Sequence, residues 1–285
     1  MRVLVTGNNG LIGRVLVQYL SLKNNTDVVL FRTAGHLRDI CDHETVRTMV
    51  KGVDVIFHLA ALLNYHPSNP REMEKINVDG TRIVFETAFG CGVKEFIFAS
   101  SQEVYSASKG CSGPLAEDVP LLTRDAYGQS KLNAEMLCAR YMDNTQTNVV
   151  ILRIASVYGH QGLNRNNALV RYIKDAKTKK VIQVFGEGKR IHDYVYVDDV
   201  AQAMVHIIGH RGVYNLGGGR PYTSREMAET VQALLGGQIV YDRLHKENPG
   251  FYMDISKIKS IIDYTPRNLQ TGLELTISSL TGDLL

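Results

Sequence analysis

Short apolar runs alternate with amphipathic stretches through the first half of the chain. Val3-Leu4-Val5, Val28-Val29-Leu30-Phe31, residues 53–58, Phe96-Ile97-Phe98-Ala99 and Val149-Val150-Ile151-Leu152 are apolar at successive positions. Each therefore reads as a strand covered on both faces. After the first of them, residues 12–20 carry Val15, Leu16, Tyr19 and Leu20 at helical spacing, which predicts an inward helix face. Strands that alternate with helices in this way build a parallel sheet with helices on both sides, a doubly wound α/β fold.

Beyond about residue 160 the rhythm changes. Residues 181–185 and Val213-Tyr214-Asn215-Leu216 predict short strands, and residues 200–208, 224–235 and 256–262 predict helices. The expected organisation is a first domain over 1–160 and a smaller substrate lobe over 161–285, with part of 190–210 returning to the first domain. No repeat or linker interrupts the pattern.

Composition narrows the classes. Of 285 residues, 44% are apolar and 21% charged, which excludes a disordered or coiled-coil chain. The net charge of +3 (32 − 29) comes without a basic block, so neither nucleic acid nor a membrane surface is an expected partner. No apolar run approaches the roughly 20 residues that span a bilayer. The first strand begins almost at Met1, and no cleaved signal is expected. Cys41, Cys91, Cys111 and Cys138 lie far apart without a C-x-x-C pair, which suits free thiols in the cytoplasm. The nine histidines show no metal-ligand spacing, and no metal is expected.

Three segments carry the chemistry. Thr6-Gly7-Asn8-Asn9-Gly10-Leu11-Ile12-Gly13 sets glycines at G-x-x-G-x-x-G between the first strand and the first helix. Such a turn lets backbone approach a pyrophosphate and leaves helix-start amides to hold it. A ribose-binding acid normally ends the second strand, but that strand runs into Arg32-Thr33; Arg32 would suit a 2′-phosphate and favours NADP(H) over NAD(H). Tyr127-Gly128-Gln129-Ser130-Lys131 places a phenol and an ammonium on one helix face, where the cation favours the phenolate for proton transfer. Ser100-Ser101 stand just beyond a buried strand, at the sheet edge where ligands of such folds bind. By contrast, Asp198 and Asp199 read as helix caps, and His58 as a packed histidine.

These segments resemble the extended short-chain dehydrogenase/reductase family in its nucleotide-sugar epimerase/dehydratase branch, with UDP-glucose 4-epimerase-like members. Further carriers are H-L-A-A at 58–61, N-V-D-G-T at 77–81, S-S-Q-E-V-Y at 100–105, L-R-I-A-S-V-Y-G at 152–159, R-I-H-D-Y-V-Y-V-D-D-V-A at 190–201 and M-D-I-S-K at 253–257. The resemblance implies a Rossmann-type sheet with a smaller C-terminal substrate lobe. It makes Ser101, Tyr127 and Lys131 the catalytic set. For the cofactor it implies Gly7, Asn9, Gly10, Leu11, Ile12, Gly13, Arg32, Asp39, Ile40, Leu59, Ala60, Ala61, Asn77 and Val157, with Tyr127 and Lys131. For a nucleotide-sugar substrate it implies Ser101, Glu103, Ser156, Arg190 and Arg243, the last standing 11 positions before Asp254. It also implies a homodimer through helices at 71–89 and 126–141.

Departures from the family pattern refine the chemistry. Ser156 stands where many members carry an asparagine, and the stretch from 159 to 186 is short for the family. Sugar dehydratases resemble a T-D-E triplet where this chain has Ser101-Gln102-Glu103; an amide does not titrate near neutrality, so dehydration is disfavoured. The expected activity is 4-epimerisation of a nucleotide sugar by reversible hydride transfer. The alternatives are an NADPH-dependent 4-keto-sugar reductase, favoured by Arg32, and less strongly a sugar-acid decarboxylase or a non-catalytic cofactor-binding subunit.

Overall fold

The computed structural model describes residues 1–33, 36–37, 40–63, 70–108, 113–142, 146–160 and 167–280, the side chains of 32, 33, 36 and 37 excepted. Its centre is a six-stranded parallel sheet: β1 (Arg2–Thr6), β2 (Asp27–Leu30), β3 (Val55–His58), β4 (Glu95–Ser101), β5 (Asn148–Ile154) and β6 (Gly212–Leu216). The spatial order is β6-β5-β4-β3-β1-β2. Successive residues feed different cores, which is why the strands are apolar throughout. Val3, Val5 and Ile97 join one buried cluster with Val15 and Leu16 of helix α1 (Leu11–Ser21), whereas Leu4, Phe96 and Phe98 join another with Val84 and Phe85.

The direction of winding reverses at β1, which pairs with β2 on one side and β3 on the other. A crevice opens at the carboxyl ends of strands at such a switch point. The glycine turn leaves β1 into this crevice, and Leu59-Ala60-Ala61 leave β3 beside it.

The C-terminal half has its own core, rich in tyrosine: Tyr158, Tyr172, Tyr194, Tyr196 and Tyr222 pack with Leu169, Ile173, Met227 and Leu273. Val181–Phe185 forms a strand there, paired with Gln238–Asp242. The chain also returns to the first half of the molecule, and further than residues 190–210, through a separate two-stranded pairing, a helix and one strand of the six-stranded sheet. Tyr194–Tyr196 pairs with Ser156–Tyr158, and Val197–His206 packs on α1. β6, placed with the smaller lobe on sequence, pairs in parallel with β5 from Gly212 opposite Val150 to Leu216 opposite Ile154. Tyr214 and Leu216 face the core shared with α1, and that burial draws the strand onto the sheet edge.

Other elements also differ from expectation. The predicted helix at 256–262 contracts to Ser256–Lys259. The stretch at 71–89 divides into Pro70–Glu74, a widened π-turn Lys75–Gly80 and Thr81–Gly90. Asp198 and Asp199 do not cap: they lie in the first helical turn of Val197–His206, and their carboxylates meet Tyr19 and Arg267 respectively. Among the described residues no helix is long and apolar enough to cross a membrane.

Candidate active site

The first layer of the site is backbone. Gly7 has φ of +69°, and a Cβ there would stand 2.7 Å from the Ala60 amide nitrogen. A Cβ on Gly13 would overlap the Gly7 carbonyl oxygen, to which Gly10 N–H donates at 3.0 Å. The turn can therefore pack this closely only with glycine. Gly10 caps α1 without a side-chain acceptor. Amides left in this way fit the diphosphate of a dinucleotide.

A chain of hydrogen bonds fixes the neighbouring strand end. Leu59 N–H and Ala60 N–H both donate to Thr6 Oγ1 at 3.2 Å. The Thr6 hydroxyl then meets His58 Nδ1 at 2.8 Å, and His58 Nε2 meets Thr81 Oγ1 at 3.0 Å. His58 is fully buried; burial, with Lys131 adding to it, pushes its pKa down to about 3, so the ring stays neutral. Asn77, on the π-turn, accepts from Leu62 N–H at 2.7 Å and donates to Leu62 O at 3.0 Å and Ser130 Oγ at 2.9 Å. It thus ties the loop after β3 to the helix that carries the tyrosine.

That helix, α2 (Ala126–Ala139), begins at Asp125, whose carboxylate accepts from Gly128 N–H at 2.8 Å. A Cβ on Gly128 would stand 2.7 Å from Glu103 O, so the glycine brings α2 against the 3-10 turn Gln102–Tyr105. Tyr127 and Lys131, one turn apart, both face the cleft. Lys131 is buried, donates from Nζ to Ala99 O at 2.7 Å and lies 4.8 Å over the Phe98 ring. Burial pushes its pKa down to about 8, against the pull of Glu135 and Cys138. Ser101 ends β4 and accepts from Glu103 N–H at 3.2 Å.

Beneath these residues runs a buried polar network. Ser100 donates to Glu135, which pairs with Arg153 at 3.0 Å. Arg153 donates to the Tyr105 hydroxyl at 2.7 Å, and Tyr105 donates to Asn215 Oδ1 at 2.8 Å. Asn215 reaches Leu115 O and Asp254 O. A buried pair satisfied this fully fixes geometry, and loss of one partner would leave a charge stranded.

Together these elements wall a cleft of about 850 Å³. Of the residues expected from sequence, Gly7, Asn9, Gly10, Leu11, Ile12, Gly13, Ile40, Leu59, Ala60, Ala61 and Val157 line it, as do Ser101, Glu103, Tyr127, Lys131 and Ser156. Asn77 acts behind the wall, through Leu62. Arg190 and Arg243 are exposed and stand outside the lining; the charge of Arg190 is felt by Glu103, and that of Arg243 by Glu187. Asp39 and the side chain of Arg32 lie outside the described residues. Glu103 is pushed above the usual carboxylate range by burial and by Asp125, with Arg190 and Arg124 opposing.

The lining also includes residues not expected from sequence, among them Phe31, Leu62, Ile76 and Asn167, together with Gln102, the departure noted above. Asn167 had a usable signal: it stands before Ala168-Leu169-Val170, and it caps that helix by accepting from Val170 N–H at 3.0 Å. The apolar residues had none, because only tertiary packing turns them toward the cleft. Among the described residues no cluster of three or more His, Cys, Asp or Glu side chains could hold a metal ion.

Comparison with known proteins places this geometry. A sequence model of the NAD dependent epimerase/dehydratase family matches residues 3–217. The chain is 26% identical to an uncharacterized UDP-glucose epimerase, YtcB, of Bacillus subtilis, over 99% of this chain and 98% of that protein. It is 29% identical to the UDP-glucuronate 4-epimerase of Thermodesulfobacterium geofontis, over 84% of this chain and 77% of that one. The structure of UDP-glucuronic acid 4-epimerase from Bacillus cereus, solved with UDP-glucuronic acid and NAD, superposes with a TM-score of 0.84 at 26% identity, over 98% of both chains.

Proposed function

The chain belongs to the NAD-dependent epimerase/dehydratase family, and from that premise we propose that it is a UDP-sugar 4-epimerase. One observation carries the reading: a single cleft holds the glycine turn at one end and Ser101, Tyr127 and Lys131 at the other. A nicotinamide dinucleotide, when bound, supplies the hydride acceptor and donor. Tyr127 takes the proton of the C4 hydroxyl as that carbon is oxidised and returns it when the ketone is reduced from its other face. Lys131, cationic below about pH 8, stabilises the phenolate. Ser101, fixed at the end of β4, donates to the sugar oxygen and holds it in line. Glu103 and Ser156 line the sugar side, and Arg190 and Arg243, exposed outside the lining, are the candidate partners of the diphosphate.

The relatives named above support the UDP moiety and the C4 position. Arg32, following β2 where a ribose-binding acid would stand, supports NADP(H) over NAD(H), although the Bacillus cereus relative was solved with NAD. The exposed Met136 on α2 suits a homodimer built through helices at 71–89 and 126–141, and the free thiols suit the cytoplasm. The test is direct. Purified protein given UDP-glucose without added dinucleotide should produce UDP-galactose until the two reach equilibrium. The second reading, a keto-sugar reductase, rests on Arg32. Stoichiometric loss of NADPH absorbance with a 4-keto sugar, and no interconversion, would establish it instead.

A further inference from the structure

Tyr127, Lys131 and Glu135 follow one another at four-residue steps along α2. The first two face the cleft, and Glu135 is buried beneath it. Its carboxylate is held from two strands. Arg153 of β5 donates from Nε to both carboxylate oxygens, at 3.2 and 3.1 Å, and from a terminal nitrogen to Oε2 at 3.0 Å. From β4, the Ser100 hydroxyl donates to Oε1. The helix therefore grips the end of β4 at consecutive residues: Lys131 takes the Ala99 carbonyl, and Glu135 takes the Ser100 side chain. Ser101 comes next, so this grip sets its place relative to Tyr127.

The same carboxylate bears on the charge of Lys131. Two cations, Lys131 and Arg153, are buried at this spot, and burial disfavours the charged form of each. The groups that face Lys131 from the neighbouring elements offer little else. From β3, His58 is neutral. From β4 come the Ala99 carbonyl and the Phe98 ring. On α2 itself, burial and Glu135 push the Cys138 thiol up, so it stays protonated. Behind the carboxylate, Arg153 adds a second positive charge. Among the described residues, Glu135 is thus the anion that opposes the loss of the ammonium. Arginine does not release its proton inside a protein. Without Glu135, Lys131 is the cation that becomes neutral.

We propose that Glu135 is a positioning residue for the reaction: it staples the strand end bearing Ser101 to the helix bearing Tyr127, and it is the counter-charge that keeps Lys131 cationic. This rests on the 4-epimerase reading of the same site and adds a residue to it. An ion pair with a merely structural role would, when removed, slow the enzyme without moving its pH dependence. A counter-charge moves it.

The test is an NMR titration of protein carrying 13Cε-labelled lysine, with the Lys131 resonance identified by its absence in Lys131→Arg. In the wild type Lys131 should titrate at about 8. Glu135→Gln should lower that midpoint by about one pH unit or more, and the alkaline limb of the turnover profile should move the same way. Glu135→Asp, which keeps the charge but is too short to hold both Arg153 and Ser100, should restore most of the midpoint while turnover stays low. Ser100→Ala removes the staple and leaves the charge. It should slow turnover by about 3- to 10-fold, the equivalent of one hydrogen bond, with the midpoint in place, and it carries the test if the Glu135 variants do not fold. An unmoved Lys131 midpoint in folded Glu135→Gln, or wild-type turnover in Ser100→Ala, overturns the assignment. A wild type that does not interconvert UDP-glucose and UDP-galactose overturns the 4-epimerase reading instead, while the lysine titration still decides the counter-charge.

Discussion

The two ends of the cleft are made differently. The cofactor end is backbone: a glycine turn, uncapped helix amides and the main chain of residues 59–62, pinned by Thr6, His58 and Asn77. The end proposed for the sugar is side chain: Gln102, Glu103 and Ser156 on elements that lie far apart in sequence, with two exposed arginines outside the lining. Backbone geometry admits few residue types, so it constrains the sequence strongly. Side-chain geometry can be met in many ways, and a fold that keeps the first end can retune the second.

The sharpest way to separate the two ends is to remove the hydroxyl of Tyr127, the proposed proton carrier. Tyr127→Phe should lower turnover by about 100- to 10,000-fold while dinucleotide affinity stays within a few-fold. A variant that turns over like the wild type would take the tyrosine out of the chemistry. A smaller effect is expected from Gly13→Ala, whose added methyl has backbone rather than a yielding side chain against it. Dinucleotide affinity should fall by about 10- to 100-fold, measured by the quenching or transfer of nicotinamide fluorescence. UDP affinity should hold, since the sugar end does not contain the turn.

The smallest effect concerns the anchor behind Ser156, whose N–H donates to Asp193 O at 3.2 Å. Asp193 is buried and accepts from Gly218 N–H at 2.9 Å and Met253 N–H at 3.0 Å; burial pushes its pKa up to about 6 from an ordinary 3.8. The folded state therefore holds this proton more tightly than the unfolded chain does. The resulting stability is complete below pH 3.8 and is lost as pH rises through about 6. His58 and His192, pushed down to about 3 by burial, act oppositely: their contribution is complete above 6.5 and is lost as pH falls. In the wild type the two trends partly cancel between pH 4 and 6. Asp193→Asn should be less stable and should show a steeper rise of Tm with pH across that interval; an unchanged slope would mean that Asp193 does not titrate there.

The same contrast explains what could be read from the chain before its structure. Val3-Leu4-Val5 and its counterparts name their strands because each residue has a core to enter on its own side. The turn from Gly7 to Gly13 names its own geometry, since a side chain at Gly7 or Gly13 would run into backbone. Tyr127 and Lys131 are legible because helical spacing alone brings them together. Gln102 and Ser156 are each visible as departures, but the hydrogen bond between them, from Gln102 Nε2 to Ser156 Oγ at 2.9 Å, depends on how β4 and the strand Ser156–Tyr158 stack in space. Residues 213–216 were indistinguishable from a lobe strand because short apolar runs do not state their neighbour. Asp198 and Asp199 carry a capping signature, yet Tyr19 and Arg267, distant in sequence, claim their carboxylates. Local rules fail where a long-range partner competes.

β6 gives the chain an architecture that scissors would not respect. Because Gly212–Leu216 closes the sheet beside β5, a fragment ending at residue 160 would expose the unpaired rim of Asn148–Ile154, seven residues of which Val149 to Ile154 are buried in the intact molecule. A long apolar rim of that kind invites self-association. The two halves of this protein are consequently interwoven rather than strung together, because a strand of the second completes the sheet of the first.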